Sequence, residues 1–135
     1  MKITSSQFKR LVLVRLNPGD DILLSLREAV KREGLQNALI LEGVGSVVSH
    51  HYHVVSSSVN PPEEIYTKAK SPADIVNING MVLEGRVHAH IIFSNEKVAY
   101  GGHLEEGVKV LTFSVIVLGE VETDLTGYDR IGEID

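Results

Sequence analysis

Cysteine is absent from the chain, which excludes disulfides and every metal or nucleophile scheme built on a thiolate. Any metal site must therefore use nitrogen and oxygen ligands. Tryptophan is absent too, and aromatic residues make up only 5% of the sequence, so the core must be packed from aliphatic side chains. No stretch approaches the roughly 18 apolar residues of a membrane span, and the opening MKITSSQFKR has no apolar leader segment. The expected location is the cytoplasm, without membrane contact. Basic residues are outnumbered, 13 Lys and Arg against 18 Asp and Glu, for a net charge of −5. A surface of that sign repels phosphate backbones, so DNA binding is expected to be weak or absent. Internal repeats, heptads and low-complexity tracts are missing as well.

What is present suits one domain over residues 1–135, long enough to bury about two-thirds of its unfolded surface. Residues 7–16 read as a buried strand, ended by the turn Asn17-Pro18-Gly19-Asp20. Asp20 or Asp21 can cap a helix over 21–33, in which Ile22, Leu26 and Val30 form an apolar stripe and Gly34 provides the stop. A short strand at 38–41 leads to Gly43-Val44-Gly45, read as a bend because the third glycine, lysine and helix of a phosphate loop are missing. Further strands are expected over 47–57, 74–82, 86–93, from 98 onward, and over 108–121, with a loop at Pro61-Pro62-Glu63-Glu64 leading into an extended or irregular segment to Ser71. The tail from about residue 122 is acidic and reads as a solvated end or a contact with a neighbouring subunit. The fold class is α+β: a mostly antiparallel, barrel-like sheet of about seven strands with one main helix.

All six histidines fall between positions 50 and 103. On a strand over 86–93, Arg86, His88, His90 and Ile92 share one face, and the apolar Val87, Ala89, Ile91 and Phe93 share the other. A two-residue loop at Asn95-Glu96 would set Ser94 opposite Lys97 and His88 opposite His103, putting three imidazoles on one face. Opposed residues have Cβ atoms about 5 Å apart, close enough for three rings to converge on one ion. A loop one residue longer would turn His103 away, and Gly101-Gly102 invites a bulge. His51 and His53 share a face of their own strand, opposite His50 and Tyr52; the clustering could bring them near the first set, but without a known neighbouring strand the preferred reading is that they line a solvated sheet face.

The run Gly85-Arg86-Val87-His88-Ala89-His90, with Gly101-Gly102-His103-Leu104 and Gly107 after it, resembles the signature of the PPC (plants and prokaryotes conserved) domain. Residues 74–80, the Pro18-Gly19-Asp20 turn and Gly43-Val44-Gly45 fall where that family has like features. The resemblance implies a homotrimer of subunits with a mainly antiparallel sheet, and a histidine cluster holding zinc or another divalent metal. Here that cluster would be His88, His90 and His103. Plant members follow a basic R-G-R-P hook that enters the DNA minor groove; this chain has none. Cupins also place H-x-H on a strand, but with a glutamate four or five residues later, whereas Glu96 is six on.

Three neutral imidazoles leave a divalent ion an open position for water, and a water so bound ionises near pH 7. Glu105 and Glu106 follow His103 closely enough to supply a carboxylate, and Arg86 could neutralise a small anionic ligand. Three readings follow: a metal-binding trimer with a regulatory or assembly role, a metal-dependent hydrolase or lyase, and a DNA-binding regulator. The last needs Lys2, Lys9, Arg10, Arg15, Arg27, Lys31 and Arg32 to gather on one face of the trimer.

Overall fold

The computed structural model describes residues 1–134. In chain order the elements are β1 (Phe8–Leu16), α1 (Ile22–Glu33), β2 (Asn37–Val47), β3 (His50–Val55), β4 (Glu64–Ala69), β5 (Ala73–Leu83), β6 (Arg86–Ser94), β7 (Ala99–Leu104) and β8 (Val110–Val121). All eight strands join one antiparallel sheet in the order β1-β8-β2-β5-β6-β7-β3-β4. The expectation of a barrel is corrected here, because β1 and β4 stand at opposite ends of the order and do not pair. The expected seven strands become eight because 64–69, read as extended or irregular and not counted as a strand, zips onto β3 from His50↔Ala69 to Val55↔Glu64.

The glycines after Leu41 do not break the chain either. β2 runs straight through them, and register shifts between Ile40 and Glu42 and between Gly45 and Val47 absorb the irregularity. Gly43 is needed for packing, since a Cβ there would overlap the Ile78 side chain. β1, read as buried, is instead an edge strand: Val12 and Val14 pack on the core, while Leu11 and Leu13 face outward.

Helix α1 forms where its apolar stripe predicts. Asp21 is the cap, its Oδ1 accepting from the Leu24 amide at 3.1 Å, and Gly34 ends the helix in the left-handed conformation at φ 65°. The stripe Ile22, Leu23, Leu26 and Val30 is fully buried against one sheet face, in a cluster with Ile78, Val87, Ile91, Phe93, Leu104 and Ile116. Each such side chain contributes about 1.5–3 kcal/mol by leaving water. The helix thus commits one face of β6 to the core and leaves the other face of the sheet uncovered by any helix. Asp21 has a second role. Its Oδ2 accepts from the Gly107 amide at 2.7 Å, tying the turn after β7 to the start of the helix.

Candidate metal centre

The β6–β7 loop is longer than the two-residue loop expected. Asn95 Oδ1 accepts from the amides of Lys97 (2.9 Å) and Val98 (3.0 Å), closing a turn that sets Ser94 opposite Ala99. The pairing therefore moves by two residues, so His103 lies opposite His90, not His88. A shift of two preserves the face. No bulge forms at Gly101-Gly102; a Cβ on either would overlap a carbonyl oxygen of the adjacent strand, Ile91 for the first and His53 for the second.

On its far side β7 pairs with β3, placing His53 directly opposite His103. A row of facing residues crosses five strands: Tyr66, His53, His103, His90, Asn79. His88, two residues before His90, joins this row. The His103 ring centroid lies 4.4 Å from that of His53, 4.9 Å from His88 and 5.4 Å from His90. His103 is the hub.

Each outer imidazole has its own carboxylate. His53 Nδ1 is 2.7 Å from Glu105 Oε1, and its Nε2 is 3.4 Å from Glu64. Glu105 Oε1 also lies 3.7 Å from His103 Nδ1. At the other end His88 Nδ1 donates to Asp129 Oδ2 at 2.9 Å. His103 Nδ1 donates to the Leu104 carbonyl at 3.2 Å, which leaves Nε2 with the lone pair a metal needs. One ligand atom from each of His53, His103 and Glu105 lies within 4.8 Å of the other two, a spacing that fits a single ion with nitrogen and oxygen ligands.

Burial lowers the pKa of His103, and the neighbouring His53, His88 and His90 lower it further. His90 is lowered by burial and then by His88 and His53. Both effects disfavour imidazolium and keep these rings as neutral donors. The hydrogen bond from His88, reinforced by Arg86, holds the Asp129 carboxyl below the usual range.

The structure brings His88, His90 and His103 onto one patch with Glu105. Arg86 stands on the same strand face, but its Nη2 donates to Asp129 at 2.7 Å, so its charge is already matched. Glu106 turns away to Arg27. Sequence reasoning preferred a solvated sheet face for His53 and passed over Asp129. For His53 the signal was the clustering of all six histidines; for Asp129, in a tail without periodicity, there was none. His51 is engaged elsewhere, donating from Nδ1 to the Glu106 carbonyl at 2.6 Å, and His50 is buried beside Tyr100, Phe93 and Tyr52.

The tail also differs from its sequence reading. Leu125 is buried against Leu83 and Val121, and its amide donates to Asn37 Oδ1 at 2.9 Å. No helix among the described residues is long and apolar enough to cross a membrane.

Residues 3–122 match the sequence profile of the Plants and Prokaryotes Conserved (PCC) domain. No curated protein matches the sequence. Among solved structures, the chain is similar to a metal-containing protein from Archaeoglobus fulgidus (22% identity, 92% of this chain and 88% of that one, TM-score 0.80). It is also similar to a plant- and prokaryote-conserved protein from Pyrococcus horikoshii (24%, 100% and 99%, TM-score 0.79). A third, from Bacteroides thetaiotaomicron, carries a provisional DNA-binding label (17%, 88% and 86%, TM-score 0.75). At these identities the likeness to the three structures is one of fold.

Proposed function

Because the chain belongs to the Plants and Prokaryotes Conserved domain family, and four of its imidazoles converge with a carboxylate on one sheet face, we propose that it is a metal-binding domain for zinc or a similar divalent ion. The observation that carries this reading is His103 within 5.4 Å of three other imidazole rings, with Glu105 alongside. His53, His103 and Glu105 would hold the ion, with His88 and His90 completing or exchanging within the set. The metal-containing description of the Archaeoglobus fulgidus protein supports the reading. When bound, such an ion polarises a coordinated water or carbonyl. Metal analysis of protein purified without an affinity tag tests the proposal; close to one ion per chain is expected, and protein that stays metal-free in excess zinc refutes it.

The domain works as a homotrimer in this reading. Leu11, Leu13, Leu41, Val44 and Phe113 are all at least 39% exposed. Leu11 pairs laterally through Gly119, Leu39 and Met81 to His88, so apolar strip and histidine patch share one face. A strip of this kind needs cover, and a neighbouring subunit would cover it beside the metal. Light scattering after gel filtration tests this; a monodisperse monomer of 14.8 kDa refutes it.

A metal-dependent enzyme is the second reading, favoured by a cleft of about 250 Å³ beside His88 and His90, lined also by Asn79, Gly80, Met81 and Asp129. A small anionic substrate would have to displace Asp129 from Arg86, so a neutral one suits the cleft better. DNA binding is the weakest reading, since the charge of −5 provides little counterion release.

A further inference from the structure

The matched family region ends at residue 122, yet the histidine patch draws one of its two closest carboxylates from beyond that point. The tail reaches the patch by a defined route. Leu125 is buried against Leu83, Val121, Leu39 and Tyr128, and the Asn37 side chain holds its amide. The amides of Tyr128 and Arg130 then donate to the carbonyls of Leu125 (3.1 Å) and Gly127 (3.2 Å), turning the chain back over the sheet. Tyr128 Oη sits 2.5 Å from Thr4 Oγ1, which pins the turn to the N-terminal segment. Asp129 is delivered at its apex, with its side chain only 14% exposed.

We propose that Asp129 is a positioning residue for the metal centre: by accepting the Nδ1 proton of His88 it fixes that ring's tautomer and orientation, presenting Nε2 to the ion. The proposal rests on the metal-binding reading. Imidazole ligands commonly donate their second N–H to a carboxylate or carbonyl, which sets the tautomer and raises ligand basicity. Asp129 meets that requirement at 2.9 Å from Nδ1, and it lines the cleft that His88 and His90 wall. Arg86 donates to the same oxygen, Oδ2, at 2.7 Å and helps hold the carboxylate in place. The arrangement at His88 mirrors that at the opposite end of the patch, where Glu105 meets His53. The tail would thus complete a site whose other members all come from the sheet and the turn after it.

The experiment compares the full chain with D129A, D129N and R86A. Cobalt(II) affinity is measured by competition with a chromophoric chelator, the visible cobalt spectrum is recorded, and metal-free stability is taken from urea unfolding. D129A is expected to lose about 10- to 100-fold in affinity and to change the spectrum, at an unfolding midpoint close to the parent's. D129N keeps an acceptor oxygen and should fall between the two, and R86A, which removes one of the two donors to Asp129 Oδ2 but spares the His88 contact, should lose less than D129A. In an H88A background, D129A should cause no further loss. Nitrogen shifts of the His88 ring in metal-free protein give an independent readout, with the Nδ1–H form expected to lose its dominance in D129A. Cobalt binding and spectrum in D129A identical to the parent would overturn this proposal and leave the metal reading standing. A parent that binds no cobalt overturns both.

Discussion

The hub position of His103 makes one substitution decisive. An ion that binds only the folded protein stabilises it by mass action, and above its dissociation constant each tenfold rise in free ion adds about 1.4 kcal/mol. Unfolding entropy is about 2.1 cal/mol/K per residue, so a chain of 135 residues should gain about 5 °C in Tm per decade of free zinc. The slope does not depend on knowing the affinity. His103→Ala removes the ring lying 4.4 to 5.4 Å from three others, so it dismantles the grouping of His53, His103 and Glu105. The slope should then fall to zero while metal-free Tm changes little, because the ring is only partly buried. His51→Ala is the control, since His51 is held by the Glu106 carbonyl outside the hub, and it should keep the parent's slope. Differential scanning fluorimetry in buffered zinc over three decades measures all three proteins. A flat parent profile refutes the metal site, and a slope that survives in His103→Ala but vanishes in His51→Ala refutes its location.

Other expectations follow from single contacts. Gly101→Val or Gly102→Ala forces a Cβ against the carbonyl of Ile91 or His53 and should destabilise by about 1–3 kcal/mol, with a reduced zinc slope; urea unfolding and the same thermal titration report both. Asp21→Ala removes the helix cap at a cost of about 0.5–2 kcal/mol and frees the Gly107 amide, so it should weaken zinc binding through the turn that carries Glu105. Burial lowers the His50 pKa from its ordinary 6.5. The unfolded chain then takes up that proton more readily, so the associated stability is present above pH 6.5 and lost below it. His50→Leu should show a smaller drop in urea midpoint between pH 7.5 and 5.5 than the parent; an equal drop counts against this account. Leu13→Arg on the exposed apolar strip should reduce the mass seen by light scattering toward 14.8 kDa.

Local periodicity carried the sequence reading a long way. The helix stripe and the alternation over 86–93 are properties of neighbouring residues, and both elements appear within a residue or so of where the pattern puts them. The face of His103 was legible for a less secure reason: the loop differed from expectation by an even number of residues, so parity held while the pairing partner changed. What failed was non-local. The sheet order that brings β3 beside β7 is decided by packing across the whole domain, so nothing in His50-His51-Tyr52-His53 could announce that His53 would face His103. The same ignorance of neighbours turned an open sheet into an expected barrel and left 64–69 undecided between extended and irregular.

The electrostatics of the patch explain why a cation is the ligand it suits. Burial and the neighbouring imidazoles both disfavour the charged forms of His90 and His103. The patch therefore offers His90 and His103 as nitrogen donors, flanked by the carboxylates of Glu105, Glu64 and Asp129. Arg86, the cation on the same strand face, spends its charge on Asp129. An arriving anion would meet carboxylates at both ends, whereas a divalent cation would gain nitrogen ligands and relieve the carboxylates' mutual repulsion. The sign of the local field and the identity of the donors thus point the same way, and they do so on a chain whose total charge already disfavours polyanionic partners.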